Sequence, residues 1–85
     1  MNFRNFVRRA SDFGITIYSI DCDETEFIFS KTWEMPCKMK KVNDEWIGTL
    51  YSSKPYLRDQ IIFGNKKEVA EKCLEYCILG VINDE

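Results

Sequence analysis

The sequence contains no histidine. That removes the side chain most often used as a general base near neutral pH, and the commonest metal ligand. Proline is scarce, with two residues, and glycine is limited to four. The chain therefore carries little of the punctuation that marks linkers and low-complexity segments. No uncharged apolar run approaches the ~18 residues of a membrane-spanning helix. The opening stretch Met1-Asn2-Phe3-Arg4-Asn5-Phe6 places charge where a secretory signal would be apolar. No C-x-x-C pair occurs among Cys22, Cys37, Cys73 and Cys77, which excludes the usual zinc-ribbon spacing. Gly-rich phosphate loops, the G-x-S-x-G elbow and the H-E-x-x-H metal signature are missing too.

What is present suits one small folded domain spanning 1–85. Of 85 residues, 45% are hydrophobic and 14% aromatic, enough to offset the entropy of ordering a chain of this size. Phe3, Phe6, Val7 and Ala10 follow the i, i+3, i+4, i+7 spacing of a short amphipathic helix, with Asn2 as its cap and Gly14 as its stop. From Ile15 the apolar period becomes two. Ile15 and Ile17 face one way, Tyr18 and Ile20 the other, a pattern that predicts a strand covered on both sides. Asp21 to Thr25 reads as a polar turn, and Glu26 to Lys31 as a second, antiparallel strand.

Trp33, Met35, Cys37 and Met39 alternate with Glu34, Pro36, Lys38 and Lys40, which predicts a half-buried strand. Pro36 has no N–H to donate, so this strand is expected at an edge, or with a bulge there. Asn43-Asp44 supplies a turn. Trp46, Gly48 and Leu50 then form an inward set opposite Ile47, Thr49 and Tyr51. After an irregular stretch, Gln60 to Phe63 is a short candidate fifth strand. Asn65 and Glu68 have the spacing of a capping box, opening a helix over 66–79 that Gly80 would end. Its apolar stripe is Val69, Cys73, Cys77 and Val81, widened by Ala70, Leu74 and Ile78. Cys73 and Cys77 are expected in the core as small hydrophobes. The fold predicted is α+β: an antiparallel meander of four or five strands, with a short N-terminal helix and a longer C-terminal helix packed on one face.

Net charge is −2, from 12 Lys and Arg against 14 Asp and Glu, but its distribution is uneven. Residues 11–30 hold five negative charges and no positive one, whereas residues 31–41 hold four positive against one negative. Asp21, Asp23, Glu24 and Glu26, with Asp44 and Glu45, are expected to make acidic hairpin tips. Lys31, Lys38, Lys40 and Lys41 are expected on a basic sheet face.

Neither group builds a catalytic site. Carboxylates spaced within a polar turn stay solvated, with ordinary proton affinity, and so make poor general acids at neutral pH. A cysteine nucleophile would have no histidine to activate it. The reading is a protein without catalytic, metal-binding or cofactor-binding residues.

Two kinds of partner follow from the surface. The order of helix, strands and helix resembles double-stranded-RNA-binding domains, and Asn65-Lys66-Lys67-Glu68-Val69-Ala70 is similar to the start of their second helix. That resemblance implies phosphate contacts by Lys66 and Lys67, joined by the Lys38, Lys40 and Lys41 face. Glu68, Glu71 and an isoelectric point near 5.2 argue against it. A protein partner is the better expectation, with Tyr56, Tyr18 and Tyr51 as aromatic anchors and Trp33 and Trp46 facing inward. The short helix, the Trp- and Tyr-rich meander and the Asn65-Lys66-Lys67-Glu68 helix start together resemble the small immunity proteins of bacterial toxin systems, including contact-dependent inhibition. Small phage-encoded inhibitors of host defence look similar. The resemblance implies a cytoplasmic, noncatalytic inhibitor that binds a cognate toxin, such as a nuclease, through the acidic tips.

Overall fold

The computed structural model describes residues 2–32, 34–52 and 55–79. Its elements run α1 (Phe3–Ser11), β1 (Ile15–Ser19), β2 (Glu26–Lys31), β3 (Glu34–Val42), β4 (Glu45–Leu50), β5 (Gln60–Gly64) and α2 (Lys66–Leu79). The five strands form one antiparallel sheet in the order β1-β2-β3-β4-β5. This is the predicted α+β meander, with both helices on one face.

Side-chain chemistry starts both helices. Asn2 Oδ1 accepts the backbone N–H of Arg4 at 2.9 Å and of Asn5 at 3.4 Å. At α2 the capping box is complete: Asn65 Oδ1 accepts the Glu68 N–H at 2.8 Å, and Glu68 Oε1 accepts the Asn65 N–H at 3.2 Å. Two donors that the first turn leaves over are thereby satisfied. Replacing Asn65 with alanine should therefore lower stability by about 1 kcal/mol, read from urea unfolding. A change too small to resolve would show that the box contributes nothing. At the other end of α2, Lys31 Nζ donates to the Cys77 carbonyl at 3.0 Å, a cation on the negative pole of the helix.

Between helices and sheet lies one core. Phe6 and Ala10 of α1 meet Ile15 and Ile17 of β1, Phe27 and Phe29 of β2, Cys37 and Met39 of β3, and Trp46 and Leu50 of β4. The helix α2 adds Val69, Ala70, Cys73, Leu74, Tyr76 and Cys77. Gly48 lets α2 approach the sheet closely: a Cβ there would lie 2.8 Å from both Ile62 Cγ1 and Val69 Cγ1. Tyr76 is buried, and its hydroxyl donates to the Tyr51 carbonyl.

Three expectations are corrected, and the alternative at Pro36 between an edge and a bulge is decided for the bulge. β1 is covered on one side only, because both helices lie on the same face; Tyr18 stays 47% exposed. β3 is the central strand, so Pro36 is not at an edge. Instead Phe29 pairs with Cys37 and Lys31 with Glu34, so four residues of β3 span three of β2. This bulge accommodates the missing N–H of Pro36, whose carbonyl still accepts from Tyr51 N at 2.9 Å. The extra residue breaks the alternation, and Met35 is exposed instead of inward. On α2, Ile78 is exposed as well, and Tyr76 takes a place in the buried stripe. Trp33, Gly80 and Val81 lie outside the described residues.

Candidate functional site

The meander sorts the charged residues by end and by face. Antiparallel order puts the β1–β2 turn (20–25) and the β3–β4 turn (43–44) next to each other at one end of the sheet. All six acidic residues singled out from the sequence gather there: Asp21, Asp23, Glu24 and Glu26 on the first turn and its exit, Asp44 and Glu45 on the second. They are not equivalent. Asp21 works inside the loop, accepting from the Thr25 N–H at 3.0 Å and from the Thr25 hydroxyl. Glu26 lies 3.9 Å from Lys38 Nζ and pairs across the strands with Lys40. Asp23, Glu24, Asp44 and Glu45 are exposed. Glu24 holds a left-handed φ of 56°, and Asn43 one of 59°. The latter suits a two-residue hairpin, where asparagine tolerates the conformation better than most residues.

Asp21 departs from the solvated reading. Its hydrogen bonds from Thr25, the side-chain one first, hold the carboxyl below its ordinary value of 3.8. The group is depressed in the folded state, so its contribution is present above the unfolded value and disappears as pH falls through the folded one. Wild type should therefore be more stable than an Asp21→Asn variant at neutral pH. That gap should close on acidification below about pH 4. Thermal unfolding of both proteins across that range checks it; a gap independent of pH would refute the assignment.

The sheet face away from the helices is open. Rows of paired residues cross it: Tyr18, Ile28, Lys38, Thr49 and Ile61 in one, Glu26, Lys40, Ile47 and Phe63 in the next. At the β1 corner Tyr18 stands beside the acidic turn, with Ile20 53% exposed in that turn. The other two tyrosines lie elsewhere. Tyr51 and Tyr56 belong to the β4–β5 connection at the far end. Tyr56 is 76% exposed, whereas Tyr51 is half-buried and tied to Tyr76. Ile20 and the β5 side chains were not foreseen as surface groups. The signal for Ile20 was its place between an apolar strand and an acidic turn.

The cations do not form one surface. Lys38 and Lys40 are on the open face. Lys31 is drawn to the end of α2, and Lys41 pairs with Trp46 on the helix side. Lys66 Nζ sits over three rings, 4.1 Å from the centroid of Phe3, 5.1 Å from Phe27 and 5.6 Å from Trp46. That position is a cation–π contact within the protein, which leaves Lys67 as the exposed member of the pair.

Cys37, Cys73 and Cys77 are buried free thiols, with Cys37 Sγ 3.3 Å from Cys77 Sγ. Contacts with the Cys73 and Cys77 thiols, together with burial, push the Cys37 thiol far above its ordinary value. It is fully buried and packs in the core as a small hydrophobe. Among the described residues, no group of three or more Cys, Asp and Glu side chains has the arrangement of a metal site. No helix among them is long and apolar enough to cross a membrane. Comparison with family models, curated proteins and solved structures finds no match to this chain.

Proposed function

We propose that the protein is a noncatalytic cytoplasmic inhibitor that works by binding another protein, in the manner of the toxin-immunity proteins it resembles. One observation carries this reading: the β1 corner combines exposed apolar anchors, Tyr18 and Ile20, with the exposed carboxylates of two adjacent hairpin turns. Apolar anchors supply most of the holding energy of an interface, and a charged rim supplies attraction at long range. The partner surface that fits is cationic with an apolar depression, as in the active-site cleft of an enzyme that acts on a polyanion. Occlusion of such a cleft needs no chemistry from the inhibitor.

The test is affinity capture from the native host, comparing the wild-type chain with a Tyr18→Ala/Ile20→Ala variant. The expected result is one protein retained in stoichiometric amount by wild type and lost from the variant, whose purified activity the wild-type chain inhibits. Recovery of RNA in place of a protein would overturn the reading, as would equal capture by both chains.

A further inference from the structure

We infer that β5 is a self-pairing edge, through which two copies of this chain join into one continuous ten-stranded sheet. Among the described residues β5 pairs with β4 alone, so half of its main-chain donors and acceptors face outward. Only an extended segment matches their spacing. Strands at sheet edges are normally protected by a lysine, a proline or a bulge. Gln60-Ile61-Ile62-Phe63-Gly64 has neither lysine nor proline, and its register with β4 is uninterrupted. It is uncharged from end to end, so a copy laid against it meets no like charge.

The side chains specify the occupant. Ile61 and Phe63 project on the open face and are 51% and 60% exposed. An antiparallel second β5, related by a two-fold axis at Ile62, sets each Phe63 opposite Ile61 of the other copy. Aromatic against β-branched is among the favoured cross-strand pairs. The join also extends the apolar groups already on that face, since Phe63 pairs with Ile47 of β4. Such an interface uses the same surface twice and closes on itself. The other edge does not offer this match: β1 presents Thr16 beside Tyr18 on the open face, a polar and an aromatic residue. Pairing at β5 leaves the β1 corner uncovered. With strands about 4.8 Å apart, the two corners of the dimer would stand roughly 40 Å from each other.

The test uses the full chain in sedimentation experiments from micromolar to millimolar concentration. Wild type should reach twice the 10.1 kDa of one chain. Ile61→Lys/Phe63→Lys and Ile61→Glu/Phe63→Glu variants should each stay at the single-chain mass, because like charges then face one another. Both positions are exposed, so circular dichroism of the variants should match wild type. An equimolar mixture of the two variants should recover the doubled mass. Hydrogen exchange gives an independent measurement on wild type: dilution should speed exchange at 60–64 and not within β2 or β3. The inference is overturned by a wild-type chain that stays single throughout, by a dimer that survives the lysine substitutions, or by variants that do not combine.

Discussion

A Gly48→Val substitution should destabilise the protein by about 3 kcal/mol, at the upper end of what overpacking usually costs. The expectation rests on contact geometry. A bare Cβ at Gly48 already stands 2.8 Å from Ile62 Cγ1 and from Val69 Cγ1, well inside normal carbon–carbon separation. Both neighbours are β-branched and stiff at χ1. Ile62 belongs to β5 and Val69 to the first turns of α2, so relief would require the helix to lift from the sheet. Valine favours strands and glycine weakens them, which makes the sign informative: intrinsic propensity predicts stabilisation, packing predicts loss. For a domain this small the loss corresponds to a fall in Tm of about 12–24 °C, read by calorimetry or circular dichroism. Gly48→Ala, which adds the Cβ alone, should fall between wild type and valine. A valine variant as stable as wild type would mean that α2 does not approach β4 as described.

The second large effect concerns association. Reversing Asp23, Glu24, Asp44 and Glu45 to lysine should slow binding to a cationic protein partner by about 10- to 100-fold at low salt. The difference should shrink as salt rises, because separated surface charges are screened within about 10 Å at 0.1 M. Asp21 and Glu26 are left intact in this set, since Asp21 holds its own loop and Glu26 faces Lys38 and Lys40. The dissociation rate should change far less, whereas Tyr18→Ala should raise it, since anchors act on residence and charge acts on encounter. Stopped-flow kinetics over a salt series separates the two. An unchanged association rate and salt slope would remove the electrostatic part of the proposed function.

How far the chain could be read depended on the range of the interaction involved. Both caps were legible because each is settled within four residues: Asn2 with Arg4 and Asn5, Asn65 with Glu68. The inward set of β4 was legible because a period of two puts Trp46, Gly48 and Leu50 on one face, whereas in β1 the same period grouped Ile15 with Ile17 and Tyr18 with Ile20 without showing which pair the helices would cover. Met35 followed the same rule on paper and failed it, since the bulge at Pro36 interrupts the alternation only once β2 lies alongside. Proline announced a defect without saying which, because a missing N–H is tolerated equally at an edge and at a bulge.

The candidate site divided in the same way. Six acidic residues could be named from charge runs, and antiparallel turns of short length already implied that the first and third share an end. Their inequality could not be read. Asp21 is engaged by Thr25 and Glu26 by its lysine neighbours, and those contacts exist only after the hairpins form. The lysines scattered because each answers to a different long-range neighbour: Lys31 to the end of α2, Lys66 to three rings on α1, β2 and β4, and Lys38 to Glu26. Local chemistry, acting over a turn or a pair of strands, set the elements, their caps and the α+β class. Packing decided which face stayed bare, because one helix or two on a given side of a sheet is a matter of which apolar surface each can bury, and no short stretch of chain records that choice.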